Sequence, residues 1–405
     1  MLNILFLSNV MSKASHKKLC SERTRQRIEP SQKFFDLAVR GMSHNDDVKL
    51  HCISVMPVYH AIYKKLIIKT RTEKADDNLS YEYIGFVNYP LFKQISIYLN
   101  VGVKIRRWIK RHKDEEKIIV VDPMLVEVTH KALAIAKRYG VKIVSFVTDV
   151  PSLTFSASGR LKFLKKIYLN MSDKDISKFD AHILLTDQMN SLFNKENKKN
   201  LLIESMVPIQ ESKEPEAEKE EGFVIMYAGK LHEKFGAKNL ADAMNYIDDE
   251  RVKMWIYGDG DSVDYIINKS KTDPRIVYKG VVPVEEVEKT IRRVSLLVNP
   301  RPCDNEFTKY SFPSKTVEYM MSGTPFASTR LPGIPDEYFN YIMPVEDYSA
   351  KGIAETVNHI LNLSEKELKK KAEEAKGFVS REKNNIRQGE KIVDFLKEIV
   401  CPNKQ

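Results

Sequence analysis

The residues best suited to chemistry gather in one stretch, Tyr310-Ser311-Phe312-Pro313-Ser314-Lys315-Thr316-Val317-Glu318-Tyr319-Met320-Met321-Ser322-Gly323-Thr324-Pro325. A serine and a lysine at a helix start, beside backbone N–H groups that a first turn leaves without partners, suit a phosphate. A carboxylate one turn further on suits the hydroxyls of a sugar. Pro313 fits the first helical position, where no N–H is needed. Gly323 can close the helix in the left-handed conformation and Pro325 stops it resuming, which leaves about two turns. Val317, Met320 and Met321 form an apolar stripe at i, i+3, i+4, with Ser314 and Glu318 beside it. Two readings fit these residues: an anion- and sugar-binding helix, or an amphipathic core helix with a surface Glu.

Other candidates stand at the ends of apolar runs. Tyr227-Ala228-Gly229-Lys230-Leu231-His232-Glu233-Lys234-Phe235-Gly236 joins a strand to a helix; glycine admits close backbone approach, and Lys230 and Lys234 suit a diphosphate or simply face water. Arg301, in Asn299-Pro300-Arg301-Pro302, can clamp a phosphate or be an ordinary surface arginine. Glu306 and Lys309 lie in the loop leading to the first stretch, and Tyr257-Gly258-Asp259-Gly260 reads as a turn. Earlier in the chain, Asp149 and Asp122 each follow a buried run; either can serve an acceptor hydroxyl or cap the next helix, and capping suits Asp122 better. There is no GxGxxG, no GxxxxGK[ST] and no HExxH, so neither a dinucleotide nor a metal site is expected. Cys20, Cys52, Cys303 and Cys401 are scattered without a CxxC, which fits a reducing compartment rather than a disulfide framework.

Alternating strand and helix patterns must position these residues. Strands are expected at Asn3–Leu7, Val48–Val55, Tyr83–Val87, Lys117–Val121, Val141–Val147, Ala181–Thr186 and Asn200–Glu204, with helices at Ser31–Met42, Leu91–Arg111, Met124–Tyr139 and Leu161–Lys178. A polar, basic segment, Ser12–Glu29, reads as a mobile loop. The acidic stretch 208–222 has almost no apolar content and reads as a linker. A second βα series follows it, from Phe223 onward. It includes a capping box at Ser364–Glu367 and a last helix with Ile392, Phe395, Leu396 and Ile399 on one side. Such alternation predicts parallel sheets covered on both faces, with ligands at the strands' carboxyl ends.

The net charge of +10 is unevenly placed: residues 1–210 hold 35 Lys and Arg against 21 Asp and Glu, and the remainder 30 against 34. One half is therefore suited to an anionic partner. The segment 91–113 mixes apolar residues and Trp108 with Lys and Arg; it reads as a packed helix whose exposed end meets anionic headgroups. No RNP, KH or helix-turn-helix signature points to nucleic acid. The opening residues lack a basic start and their apolar run ends at Ser8-Asn9, so a buried first strand is expected rather than a signal peptide, and no apolar run approaches a membrane span.

The run Tyr310–Pro325, with Ser-Phe-Pro-Ser-Lys before its helix and Leu331-Pro332-Gly333-Ile334-Pro335 after it, resembles the donor-site signature of retaining glycosyltransferases of family 4, which have the GT-B fold. It is similar to the bacterial exopolysaccharide and capsule enzymes of that family. The resemblance covers most of the chain and is strongest over residues 223–335. It implies an α/β protein of two Rossmann-like domains facing across a cleft: an acceptor-side domain at 1–207, the linker 208–222, a nucleotide-sugar-binding domain at 223–378, and a closing helix at 379–405 that crosses back to the first domain. It also implies that Glu318 holds the ribose, that Ser314 and Lys315 lie near the diphosphate beside Gly229, and that Lys230 and Arg301 stabilise the leaving group; the residue pattern itself offers Asp149 for the acceptor side. Two positions depart from the pattern. Phe235 precedes Gly236, with Lys234 one residue earlier than expected; and Tyr310 stands where an acidic residue holds the donor sugar, leaving that task to Glu306 or to backbone N–H groups. The implied function is transfer of a sugar, with retention, from a UDP- or GDP-linked donor to a saccharide or lipid-pyrophosphate acceptor. No cofactor or metal is expected, and the implied location is cytoplasmic, peripheral to the inner membrane face. A nucleotide-sugar epimerase or phosphorylase on the same fold, and a non-catalytic binding scaffold, are the rival readings.

Overall fold

The computed structural model of the chain describes residues 1–24, 30–90, 92–154, 172–209 and 217–402. The chain forms two compact units, Met1–Pro208 with Asn384–Gln405, and Ile209–Lys383.

The first unit runs β1 (Leu2–Ser8), α1 (Lys13–Glu22), α2 (Pro30–Ser43), β2 (Val48–Ser54), β3 (Ile67–Ile68), β4 (Arg71–Lys74), β5 (Leu79–Tyr83), β6 (Phe86–Val87), α3 (Phe92–Arg111), β7 (Lys117–Val121), α4 (Val126–Tyr139), β8 (Ile143–Val147), β9 (Ala181–Leu184) and β10 (Asn200–Leu202). Its sheet has the order β10-β9-β8-β7-β1-β2-β5-β4. All neighbours are parallel except β4, which closes one edge antiparallel to β5. Every residue of β1, β8 and β9 is buried, as continuous apolar runs covered on both faces require. β3 and β6 form a separate antiparallel ribbon.

Two expectations change here. Ser12–Glu29 is not a loop through its first part: α1 spans Lys13–Glu22, Ser12 caps it by accepting from the Ser15 N–H, and Leu19 and Ser15 are buried. Too few apolar residues mark this helix for periodicity to reveal it. The expected strand Tyr83–Val87 is two strands, β5 and β6, which pair with different partners. Within the basic segment 91–113, Trp108 is buried in the core of the first unit. Of the expected helix Leu161–Lys178, the described part 172–176 is helical; the rest of it that precedes residue 172, residues 25–29 of the early segment and 210–216 of the linker lie outside the described residues.

The second unit runs β11 (Phe223–Lys230), α5 (Ala237–Ala243), β12 (Val252–Asp259), α6 (Val263–Thr272), β13 (Ile276–Gly280), α7 (Val284–Thr290), β14 (Leu296–Asn299), α8 (Lys315–Ser322), β15 (Phe326–Thr329), β16 (Met343–Val345), α9 (Ala350–Leu361) and α10 (Glu365–Glu382). The sheet order β13-β12-β11-β14-β15-β16 is parallel throughout and reverses its direction of growth between β11 and β14. That reversal is the topological switch point of a doubly wound sheet. The capping box opens α10: the Ser364 hydroxyl accepts from the Glu367 N–H, and the Glu367 carboxylate accepts from the Ser364 N–H.

The last helix, α11 (Asn385–Val400), belongs to the first unit and packs on α2. Its expected stripe of Ile392, Phe395, Leu396 and Ile399 is buried. The two helices meet backbone to backbone. A methyl group on Gly389 would lie 2.1 Å from the Gly41 carbonyl carbon, and one on Gly41 would lie 1.9 Å from the Asn385 oxygen. Gly389→Ala is therefore expected to destabilise the protein by about 1–3 kcal/mol or more, through overpacking that no side chain can relieve. Gly377→Ala, in α10 with nothing within 4 Å of the added methyl, serves as the control. It is expected to be neutral or to stabilise by about 0.5–1 kcal/mol. Thermal melting of the two variants against the parent checks both.

Candidate functional site

β11 pairs with β14 at Ile225–Leu296 and Met226–Leu297, but continues beside β12 as far as Lys230. Past Met226 the two central strands part, and Ala228 loses its ladder partner on that side. The Tyr319 hydroxyl of α8 fills the gap, accepting from the Ala228 N–H at 3.2 Å and donating to the Ala228 carbonyl at 3.3 Å. Burial raises the Tyr319 pKa well above the usual phenol range and keeps the group neutral. The Tyr319 ring packs edge-on against Phe326 of β15 at 5.2 Å. Val317 and Met320 are buried with it, and Gly323 closes the helix at φ 74°. The helix begins one residue past Ser314, not at Pro313; the Pro313 carbonyl instead accepts from the Thr316 N–H, so the ring lies just outside the first turn.

Anchoring α8 in this way places Lys315 and Glu318, one turn apart on the same helix face, at the end of β11. The Lys315 ammonium rests against Gly229, where a methyl group would lie 2.2 Å from Nζ. It also stands 5.3 Å from the centre of the Tyr227 ring, whose hydroxyl donates to the Lys230 carbonyl at 3.2 Å. Gly258 is more than a turn residue: at φ 130° its missing Cβ would come within 1.7 Å of the Gly229 oxygen. Gly236, at φ 80°, similarly admits the Pro300 carbonyl and brings the loop after β11 onto the loop after β14. There the Arg301 guanidinium lies over Phe235 (4.8 Å) and Phe307 (5.8 Å), and Lys234 approaches the same two rings at 5.3 and 5.6 Å. The buried Arg301 Nε has no hydrogen-bond partner among the described residues.

This arrangement is unfavourable for its own charges. Burial pulls the Lys315 pKa down to about 8; the Glu318 carboxylate opposes that shift, while the positive charges of Arg301 and Lys230 add to it. Burial likewise lowers the Arg301 pKa. Two desolvated cations, Lys315 and Arg301, with exposed Lys230 beside them at a strand end and a helix start, make an arrangement suited to an oxyanion.

Gly229, Lys230, Arg301, Lys315 and Glu318 thus come together as a single cluster, and Lys234 joins it through the aromatic pair. Ser314 is exposed at the helix start and makes no capping bond. Glu306, exposed, and Tyr310, half-buried, bracket the short 3-10 segment Glu306–Tyr310 that carries Phe307. Asp149 lies in the first unit, half-buried just past β8. Nearby Asp122 is fully buried, accepts from the Met124 N–H at 3.0 Å, and is pushed up to about 7 by burial and by the charge of Asp149. Sequence reasoning missed Tyr319, Tyr227, Phe235 and Phe307 as site residues. Tyr319 lies off the i, i+3, i+4 stripe, and its one signal was a phenol inside an otherwise apolar helix. Among the described residues, no group of three or more His, Cys, Asp or Glu could hold a metal ion.

Residues 222–363, which contain the whole cluster, match the family model described as glycosyl transferases group 1. No curated protein sequence matches the chain. Solved structures share its fold over nearly the full length. Sucrose-phosphate synthase from Thermosynechococcus elongatus has a TM-score of 0.66 at 10% identity, covering 99% of this chain and 100% of that one. HepE from Anabaena in complex with UDP has 0.62 at 13%, covering 98% and 99%. An α,α-trehalose-phosphate synthase from Burkholderia xenovorans in complex with glucose-6-phosphate has 0.60 at 11%, covering 98% and 100%. The fold is GT-B, with two Rossmann-like domains built on parallel sheets; together with the family match it supports a transferase enzyme that moves a sugar.

The lowered Lys315 pKa gives opposite pH trends for binding and stability. An oxyanion on this cluster would be attracted by the charged form of Lys315, so affinity for an added diphosphate is expected to fall roughly tenfold or more between pH 7.5 and 9.5. In the free protein the folded value of about 8 lies below the unfolded 10.5, so between them the unfolded chain holds the extra proton. The contribution of this group to stability therefore rises with pH across that window. Titration calorimetry over the pH range tests the first trend; Lys315→Met should flatten it, and Gly229→Ala, which displaces Nζ, should weaken binding similarly.

Proposed function

We propose that this protein is a retaining glycosyltransferase of the family 4 type, acting in surface polysaccharide synthesis. The observation that carries the reading is the cluster of Lys230, Arg301 and Lys315, with Glu318 one helical turn away, at the switch point between β11 and β14. The donor is a UDP- or GDP-linked sugar. Its diphosphate lies on Gly229, Lys230, Arg301 and the start of α8, with Ser314 at the first turn, and its ribose hydroxyls donate to Glu318. Lys234 supplements the cationic wall, and Glu306 and Tyr310 border the sugar. Structures of HepE with UDP and with UDP-glucose support a nucleotide-sugar donor for this fold, and the trehalose-phosphate synthase with glucose-6-phosphate supports a saccharide acceptor.

In the proposed reaction the bond from the anomeric carbon to the diphosphate oxygen breaks, and its electron pair leaves on that oxygen. The acceptor hydroxyl oxygen forms the new bond on the same face of the sugar, and its proton passes to the departing diphosphate. Negative charge on the leaving group grows in the transition state, so Lys230 and Arg301 stabilise the transition state more than the ground state. These cations take the role a metal ion would otherwise fill, and the reading requires neither a metal nor an organic cofactor. Asp149 is assigned to the acceptor hydroxyl. The basic excess of the first half of the sequence supports an anionic acceptor, a saccharide on a lipid pyrophosphate at the inner membrane face.

Glu318→Ala is expected to abolish the rise in melting temperature caused by UDP or GDP while leaving the ligand-free melting temperature within a degree or two of the parent. Arg301→Ala and Lys230→Ala should each lower kcat about 10²–10³-fold. Chelator should leave turnover unchanged, and the product should keep the donor's anomeric configuration by NMR. Nucleotide affinity unaltered in Glu318→Ala would sink the site assignment. An epimerised donor formed without acceptor would indicate the epimerase instead, and no thermal response to any nucleotide sugar or free nucleotide would indicate a scaffold.

A further inference from the structure

Helix α3 is apolar on two opposite sides. Ile97, Val101, Ile105 and Trp108 are buried in the first unit. Phe92, Ile95, Leu99 and Val103 point the other way, exposed by 60, 58, 57 and 45%. At 100° per residue these four fall within about 80° of the helix surface, opposite the buried set, along roughly 16 Å of axis. Packing accounts for the first side. Nothing among the described residues covers the second.

The exposed stripe continues onto the β3–β6 ribbon. The Val87 N–H donates to the Ser96 hydroxyl of α3 at 3.1 Å. Val87 pairs with Ile67, and both are exposed while their neighbours Ile68 and Phe86 are buried. Tyr89 extends the patch, its ring 6.4 Å from that of Phe92. Single exposed apolar residues are ordinary, but a contiguous run spanning a helix and a ribbon marks an interaction surface.

The charges around the patch identify what it meets. α3 contains no Asp or Glu. Lys104 is tied to Glu82 of β5, so its charge is directed inward. Past Val103 the outward side becomes cationic, with Arg106, Arg107 and Lys110, and exposed Lys64 and Lys69 flank Leu66 and Ile67. A second copy of the chain would set these cations against their own kind. A bilayer with anionic headgroups satisfies both parts: the acyl boundary takes the apolar stripe and the headgroup phosphates take the basic end.

We infer that the outward face of α3, together with the β3–β6 ribbon, seats this protein on an anionic lipid bilayer. The inference deepens the proposal of a lipid-borne acceptor and rests on it for its purpose, but vesicle binding requires neither donor nor acceptor, so the two can fail separately. Co-sedimentation of the full chain with phosphatidylglycerol vesicles should exceed that with pure phosphatidylcholine vesicles about tenfold or more, and should weaken as salt is raised. A chain carrying both Ile95→Ser and Leu99→Ser should lose about tenfold in affinity for the anionic vesicles with its melting temperature and its thermal response to nucleotide unchanged, since both side chains are already exposed. Arg106→Glu with Arg107→Glu should lower affinity by a similar factor and flatten the salt dependence. Failure of the parent chain to bind anionic vesicles overturns the inference. So does equal binding by the Ile95→Ser, Leu99→Ser chain, or a shift of that chain from dimer to monomer in gel filtration with vesicle binding retained.

Discussion

Past Met226 the two central strands of the second unit separate, and the rest of the candidate site depends on that separation. A parallel sheet that grows outward in both directions from its middle must open a crevice where the growth reverses. Opening it strands the N–H and carbonyl of Ala228, and a buried backbone pair without partners would cost several kcal/mol. Tyr319 satisfies both groups with one hydroxyl. In doing so it fixes the azimuth of α8, and through it the positions of Lys315 and Glu318. The glycines at 229, 236 and 258 serve the same constraint from the other side, since each is a place where another part of the chain occupies the volume a side chain would need.

The site is electrostatically strained by design of the fold rather than by any single residue. The positive charges of Arg301 and Lys230 act against that of Lys315, and burial removes much of the water that would screen Lys315 and Arg301, while Lys230 stays exposed. The aromatic faces of Tyr227, Phe235 and Phe307 offset part of that cost without neutralising the charge, as a carboxylate would. A fully paired cluster would be more stable and would have little left to offer an anion. Glu318 is the counterweight: from one turn away its carboxylate opposes the fall of the Lys315 pKa.

Much of this was legible in the chain. Periodicity located the βα series of the second unit, and Gly229, Arg301, Lys315 and Glu318 were singled out as candidates because each sits where a strand ends or a helix begins, a position that composition and turn chemistry mark. What escaped depends on distance in three dimensions. Tyr319 reaches Ala228 across 91 residues of sequence, and nothing local signals a phenol that serves a strand's backbone. Phe235 stands where a basic residue was sought and Phe307 carried no signal; both flank Arg301, and this appears only when the loops after β11 and β14 are brought together by Gly236. α1 escaped because few of its residues are buried, and the core side of α3 was not legible because that helix is apolar on both sides, so periodicity could not say which side was the core.

The backbone contact between Gly41 and Gly389 has a consequence for biosynthesis. The second unit is one continuous segment of chain, but the first is completed only by α11. A ribosome that has finished the first unit's strands at Pro208 must still add about 190 residues before the covering helix emerges, roughly 10–40 s at ordinary elongation rates. Throughout that interval the α2 surface that receives Ile392, Phe395 and Leu396 is uncovered. The domain made first is therefore finished last, and a nascent chain truncated before residue 385 would leave with a complete second unit and an open apolar groove on the first, which is the kind of surface chaperones hold.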